Sequence, residues 1–373
     1  MRAVGLFSGI GGLELGIARA GVDTEMLCES WQPAASTLRR HFAAPVVGDI
    51  RQLGSLPEVD VVTAGFPCTD LSQVGRTAGI GGEASGLIRE VFRLIARIPP
   101  KWLVLENVPN MLSLHGGAPM RALTTWFDDH GWNWAYRIVD SQHFGVRQRR
   151  RRVFVVASRT EDPRGVLFAD DAPPTVASRV HSAYGFSWTE GNRGLGWGPG
   201  VTPTLKGGSS VGIASPPGVW VKDAEPGLSI VRPTIEAGER LQGFRAGWTR
   251  HVEREGVRWK LVGNAVTVPV AAWIGRRLIE PGTPLELSLE ASMSSSLPSA
   301  ASCTGGLRQD WLVSERPLVM SNVPSLSSTL VRHGSRALSH GATSGFTSRL
   351  KRSTLRHDPE FMIALESHLA ATS

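Results

Sequence analysis

Over its first 157 residues this chain alternates short β-branched runs with stretches of helical spacing, and that alternation constrains its fold most. The runs are AVGLF (3–7), PVVGD (45–49), VDVVTAG (59–65), WLVLEN (102–107) and RVFVVA (152–157). Between them, LELGIARA (13–20) and GLIREVFRLIARI (86–98) have the period of an amphipathic helix. In the second, Leu87, Val91, Leu94, Ile95 and Ile98 fall on one face. Apolar strands joined through helices predict an α/β fold, with a parallel sheet and helices over it.

Composition bounds the rest. A length of 373 residues leaves room for about two domains. A hydrophobic content of 41% builds a real core and excludes a chain disordered throughout. The net charge of +7 permits a nucleic-acid partner without requiring one. Cys28, Cys68 and Cys303 include no C-x-x-C pair, which argues against a disulfide framework and a structural zinc, so no metal is expected. No apolar run is long enough to span a membrane, and the glycine-rich start does not resemble a signal peptide. A cytoplasmic protein with reduced thiols and no membrane partner is the expectation.

Residues 1–157 read as the catalytic and cofactor-binding domain. Residues 158–254 read as a smaller, loop-rich domain, because residues 161–230 hold 12 Gly and 8 Pro. That stretch carries five basic and seven acidic residues and is no basic patch. Helical spacing returns at TIEAGERLQGF, and 255–280 ends in an apolar helix (266–279) that returns to the first domain. In 281–373, 19 of 93 residues are Ser, and SMSSSLPSAAS (292–302) looks like linker. FMIALESHLA (361–370) predicts a short amphipathic helix within this extension, whose role is open.

The segment VGLFSGIGGLELGIARAG (4–21) reads as strand, glycine turn, helix. Gly9, Gly11 and Gly12 let backbone approach a ligand, and the helix start presents free N–H groups. The turn matches neither G-x-G-x-x-G nor a phosphate loop, so a pyrophosphate is not its natural guest. Glu29, about 20 residues on, is placed to accept ribose hydroxyls, and Asp49 to accept an adenine amino group. A nucleoside without phosphates fits, with S-adenosylmethionine the candidate. The competing reading is a plain strand–turn–helix of another α/β enzyme, such as a nicotinamide oxidoreductase.

Cys68, in GFPCTDLS (65–72), follows a strand at the carboxyl edge, where open α/β sheets bind ligands. Pro67 stiffens the turn. A lone cysteine is more often inert. Here the neighbouring strand ends in Glu106, on the same edge. Five arginines in six residues, Arg147 and Arg149 to Arg152, surround Gln148. Such a run is often solvated. Feeding into a strand, it must send alternate side chains to opposite faces, Arg150 and Arg152 to one, Arg149 and Arg151 to the other.

The ordered set FSGIGG (7–12), GFPC (65–68), ENV (106–108), Q-x-R-x-R (148–152), RLQGF (240–244) and GNAV (263–266) resembles the bacterial and phage DNA cytosine-5 methyltransferases over roughly residues 1–280. The resemblance implies a Rossmann-like S-adenosylmethionine-dependent methyltransferase fold with a smaller target-recognition domain. It implies cofactor contacts at Phe7, Gly9, Ile10, Glu29, Asp49, Ile50, Pro67 and Asn264. It makes Cys68 the nucleophile and Glu106 the acid at N3 of cytosine, completed by Asn107 and Val108. Arg150 and Arg152 correspond to the arginines near base and thiol, with Gln148 opening their motif. Thr204, in TLKGG, corresponds to the element beside an everted base, and Arg76, in the glycine-bearing loop 69–85, is a phosphate contact. Ala237 and EASG (83–86) depart from the family pattern at positions outside catalysis.

The implied substrate is double-stranded DNA of specific sequence. A cognate restriction endonuclease would be a functional rather than physical partner, and a monomer is expected. The alternatives are a tRNA cytosine-5 methyltransferase and a catalytically dead DNA-binding protein of the same fold.

Overall fold

The computed structural model describes residues 1–66, 86–173, 181–190, 194–207, 215–290, 296–318, 320 and 323–373. In chain order they form β1 (Arg2–Leu6), α1 (Gly12–Ala18), β2 (Asp23–Cys28), α2 (Gln32–His41), β3 (Val46–Val47), β4 (Val61–Ala64), α3 (Gly86–Arg97), β5 (Trp102–Asn107), α4 (Ala118–Asp129), β6 (Asn133–Asp140), β7 (Arg151–Ser158) and α5 (Arg164–Leu167). Next come β8 (Ala183–Phe186), β9 (Gly198–Pro199), β10 (Gly218–Val221), β11 (Ile230–Pro233), α6 (Ile235–Leu241), α7 (Glu255–Asn264) and α8 (Val268–Ile279). The chain ends with β12 (Ser288–Glu290), β13 (Ala300–Thr304), β14 (Leu307–Trp311), α9 (Leu326–His333), β15 (Ser335–Ala337), α10 (His340–Lys351) and α11 (Pro359–Ala371). Among the described residues no helix is long and apolar enough to cross a membrane.

The chain divides into two compact units. The first holds Met1–His143, Arg151–Pro173 and Val266–Val319, the second Phe144–Arg150, Pro174–Ala265 and Met320–Ser373. The first unit is built on one sheet in the order β12-β14-β13-β6-β7-β5-β4-β1-β2-β3. Strands β3, β2, β1, β4 and β5 run parallel. β7 runs antiparallel to β5, and β6 antiparallel to β7. The sheet is therefore mixed where the run RVFVVA was expected to add another parallel strand. No crossover helix separates β6 from β7, and without one the chain must turn back on itself.

Strand β1 lies between β2 and β4, and connections leave it in both directions. That makes the carboxyl end of β1 the switch point where an open α/β sheet has its crevice. The register is close. Leu6 pairs with Cys28 on one side and Ala64 on the other, and Ala64 pairs with Leu105. The next row along the edge is therefore Glu29, Phe7, Gly65 and Glu106.

Helix α1 lies against α8 through small residues. A Cβ at Gly16 would stand 2.3 Å from the Ala271 Cβ, and one at Gly12 would stand 2.3 Å from the Val266 carbonyl oxygen. These glycines let two backbones approach closely and so fix the start of α1 under the glycine turn.

The serine-rich tail is folded where it is described, and the end of the stretch read as linker, from Ala300 on, is strand. Ala300–Thr304 is the buried strand β13, paired with β6. Ser302 accepts from the Trp311 indole N–H at 2.9 Å. Ser325 and Ser339 cap α9 and α10 by accepting the backbone N–H of Ser328 and Ala342. Serine content here reflects capping and buried hydrogen bonds, which composition alone does not distinguish from linker. The helix expected at 361–370 is present as α11.

The second unit carries an antiparallel sheet in the order β15-β11-β10-β8-β9, with strands of two to four residues. Short strands suit its glycine and proline content. Its core is aromatic: Phe186 packs on Phe346 and Phe361 with ring centroids 5.0 Å apart in both pairs.

Gly16→Val is expected to cost about 3 kcal/mol by overpacking the α1–α8 crossing. Gly54→Ala, which meets nothing within 4 Å, should stay within about 0.5 kcal/mol of the parent. Urea midpoints of the two variants check this.

Candidate active site

The glycine turn after β1 holds an unusual backbone. Phe7 has φ 54°, followed by Gly9 at 56° and Gly11 at 84°. For Phe7 this left-handed conformation costs about 1–2 kcal/mol, which neighbouring hydrogen bonds must offset. Ser8 N–H donates to the Cys28 carbonyl at 3.1 Å, and Gly9 N–H to Glu29 Oε2 at 2.8 Å. Trp31 N–H donates to Glu29 Oε1 at 2.7 Å. The two strand ends are thus tied by the acid that sequence reasoning picked out.

Burial pushes the Glu29 carboxyl above its ordinary value, while these backbone N–H groups oppose the rise. Asp49 sits below the usual carboxylate range because Arg51 holds both its oxygens. Ile10 and Ile50 are buried beside this edge, and Phe7 is partly exposed.

At the reactive end, β7 lies against β5 with Phe154 opposite Glu106. Arg152, two residues from Phe154, is a diagonal neighbour on the same face. Its Nε stands 3.0 Å from Glu106 Oε1, and both side chains are largely buried. The contact is an ion pair without hydrogen-bond alignment at Oε1 among the described residues. Glu106 Oε2 looks the other way. A Cβ at Gly65 would stand 3.7 Å from it and 4.0 Å from the Phe7 carbonyl oxygen, so acid, turn and the foot of the cysteine loop converge.

Asn107 donates from Nδ2 to the Phe66 carbonyl at 3.1 Å and accepts the Val108 N–H at 2.8 Å. It bridges the ends of β5 and β4. Pro67, Cys68 and Arg76 lie outside the described residues.

Three comparisons bear on this arrangement. A profile of the C-5 cytosine-specific DNA methylases matches residues 1–182. The Type II methyltransferase M2.BsuMI of Bacillus subtilis (strain 168) is 41% identical and covers 98% of this chain and 97% of its own length. This chain belongs to the C-5 cytosine-specific DNA methylase family. The Type II methyltransferase M.MspI of Moraxella sp is also similar, at 26% identity over 74% of this chain and 69% of its own. The S. pombe Dnmt2 methyltransferase shares the fold, with TM-score 0.57 at 16% identity over 75% of this chain and 99% of that one. The methylase is thus a DNA cytosine-5 methyltransferase on the fold expected for one.

Other expected site residues of the methylase fall in its second unit. Gln148 is buried. Its amide donates to the Leu241 carbonyl and Gln242 Oε1, each at 3.1 Å, and its oxygen accepts the Leu205 N–H at 2.8 Å. Arg150 is buried and donates to the carbonyls of Leu205, Gly263 and Ala265 at 3.2, 3.1 and 2.8 Å. Thr204 Oγ1 donates to the Arg149 carbonyl at 2.9 Å. These contacts join Q-x-R-x-R, TLKGG, RLQGF and GNAV within one unit. Asn264 is exposed at the end of α7. The shared face expected of Arg150 and Arg152 is not seen as one, because the strand begins at Arg151 and the run divides between the units. Arg151 pairs instead with Glu315.

Sequence reasoning missed Glu14, Thr63 and Glu239, which are buried polar groups. Their signal was a charged or hydroxyl side chain at an apolar position of a predicted element.

The two other cysteines of the methylase differ from a nucleophile's needs. Cys28 donates to the Gly48 carbonyl, and burial pushes its thiol up to about 12. Burial also raises Cys303.

Arg152→Ala is expected to cost about 3 kcal/mol, because it strands a buried carboxylate. Adding Glu106→Gln should restore most of that loss. Urea unfolding of the single and double variants measures it, and equal stabilities would contradict the ion pair.

Proposed function

We propose that this methylase transfers a methyl group from S-adenosylmethionine to C5 of cytosine in a specific double-stranded DNA sequence. Cys68 is the nucleophile toward C6 of a base swung out of its helix. The observation that carries the reading is the Glu106–Arg152 pair on the sheet edge, one strand away from β4, whose end leads into the GFPC turn. Full-length similarity to a Type II methyltransferase favours DNA over tRNA and supports a functional pairing with a cognate restriction endonuclease. The cytoplasm is the compartment that fits this reading.

The residues at the carboxyl edge suit a nucleoside. Each Glu29 oxygen accepts one backbone N–H and keeps a further lone pair for a ribose hydroxyl. A Cβ at Gly9 would meet nothing within 4 Å, so the turn is open to a ligand there. Phe7, Gly9, Ile10, Glu29, Asp49 and Ile50 would hold the cofactor, with Pro67 and Asn264 completing the family set. When bound, the cofactor supplies an electrophilic methyl group for C5.

The protein's residues then do the following. A free thiol is only a few per cent thiolate at neutral pH, so Cys68 needs a cation to favour its anion, a part that Arg152 would play. Its Sγ bonds to C6, and the displaced π electrons move toward C5 and N3. A proton taken up from water as the base binds, shared between Glu106 Oε2 and N3, keeps the ring from carrying a full negative charge. Arg152 holds Oε1 and so fixes the direction of Oε2. After C5 is methylated it loses its proton to a base. The Sγ–C6 bond then breaks, the C5–C6 double bond returns, and the N3 proton goes back to Glu106. Everting the base costs a few kcal/mol, offset by contacts in the pocket. Gln148 and Thr204 shape the DNA side, and Arg76 meets phosphate.

Bisulfite sequencing of DNA incubated with protein and cofactor should show methylcytosine in one sequence context. Cys68→Ala should abolish it, a loss of at least about 1,000-fold. Cys28→Ala and Cys303→Ala should retain it. No methylcytosine with the folded parent protein would overturn the proposal.

A further inference from the structure

Glu14 has no part in the chemistry above, yet it lies beneath the turn that the chemistry needs. It sits in the first turn of α1 and is 1% exposed. Its Oε1 accepts from Thr63 Oγ1 of β4 at 2.9 Å. Its Oε2 is buried without an aligned donor among the described residues, and the Ser8 hydroxyl in the turn, which acts on the carboxyl, likewise makes no aligned bond. A Cβ at Gly5 would stand 2.3 Å from Glu14 Oε1 and 2.6 Å from Ser8 Oγ. The carboxyl and the hydroxyl therefore share the space over the one residue of β1 that has no side chain.

The charged neighbour acting on Glu14 is Glu29, at the end of β2. Among the described residues the other packed elements bring no charge to it: β1 offers Gly5, β4 offers Thr63, and α8 meets α1 at Gly16 through Ala271 and the Val268 carbonyl. Two buried carboxyls thus share one region, and their partners differ. Glu29 accepts two backbone N–H groups, which favour its anion. Glu14 accepts an aligned bond from the Thr63 hydroxyl, and its Oε2 has no aligned donor among the described residues, so burial favours its neutral acid. Burial pushes Glu14 up to about 7 and Glu29 adds a little, against its own backbone N–H and the hydroxyls of Thr63 and Ser8, which favour the anion but do not outweigh burial.

We propose that Glu14 is a positioning residue for the nucleoside turn: as the neutral acid it floors residues 5–9, and losing its proton loosens the Gly9–Glu29 contact that the ribose needs. The inference rests on the reading of residues 7–12 as the cofactor turn. An ionised Oε2 without an aligned donor draws on the nearest N–H and O–H groups or on water, and those groups belong to the turn. Held above its unfolded value of 4.5, the Glu14 carboxyl contributes stability that is complete below pH 4.5 and lost as pH rises to about 7. Cofactor affinity follows a different window. It is level while Glu14 stays protonated and falls once pH passes the folded-state value.

The test is calorimetric binding of S-adenosylhomocysteine to the full chain from pH 6 to pH 8.5. For the parent protein the affinity should fall about tenfold between pH 6 and pH 8, as the neutral fraction of Glu14 declines. In Glu14→Gln, which keeps an acceptor for Thr63, the fall should vanish. In Thr63→Val the fall should move to higher pH, because a donor that favours the anion is gone. Superimposable pH profiles for the parent, Glu14→Gln and Thr63→Val would overturn the inference while leaving the cofactor turn intact. Absence of binding at every pH by the folded parent would overturn the cofactor reading and this inference with it.

Discussion

A carboxylate that is nine-tenths buried needs a cation beside it, and in this methylase the pairing of Glu106 with Arg152 supplies one. The pair exists because β7 runs against the direction of β5. A parallel strand would bring its own carboxyl end to this edge, whereas the antiparallel β7 brings its start, and its start is the arginine run. The reversal that made the sheet mixed therefore also delivers a guanidinium to Glu106. Such a pair is weak evidence for stability, since burying two charges costs about as much as their attraction returns. Its value here is direction: one carboxyl oxygen is held, and the other faces the space over Gly65.

The rest of the site follows from register. Four neighbouring strands are in register, so Glu29, Phe7, Gly65 and Glu106 occupy one row although they are up to 99 positions apart in sequence. Small residues where α1 meets α8 set the height of the glycine turn over that row. Asn107 ties the foot of the cysteine loop to β5 by one hydrogen bond to the Phe66 carbonyl. Each of these is a backbone-level constraint, and each places a functional group without touching substrate.

Much of this was legible in the sequence. The runs at 3–7, 59–65, 102–107 and 152–157 are strands because β-branched residues filled them, and Glu29 was legible because an acid stood after a short apolar run. The direction of β7 was not legible, since a strand's residues carry no sign of which way it runs. β2 was partly hidden, because half of DTEMLC is polar and only Leu27 and Cys28 are buried. The tail misled because serine serves both linkers and caps, and only the bonds of Ser302, Ser325 and Ser339 distinguish the two. Glu14 escaped notice because a glutamate in a helix ordinarily faces water, and its burial depends on Gly5 and Thr63, which are distant in sequence. Alternation in the arginine run predicts Arg150 and Arg152 on one face. Arg150 is instead a bracket on three backbone carbonyls, while Arg152 meets the acid.

The central claim is that one particular sulfur bonds to a pyrimidine carbon. A duplex carrying 5-fluorocytosine at the target position has no C5 proton to lose, so the reaction should stop with protein and DNA joined. Incubation with protein and S-adenosylmethionine, followed by digestion and mass measurement, should give a single peptide–nucleotide adduct on Cys68. An adduct on Cys28 or Cys303, or methyl transfer to ordinary duplex with no adduct on the fluorinated one, would contradict the account.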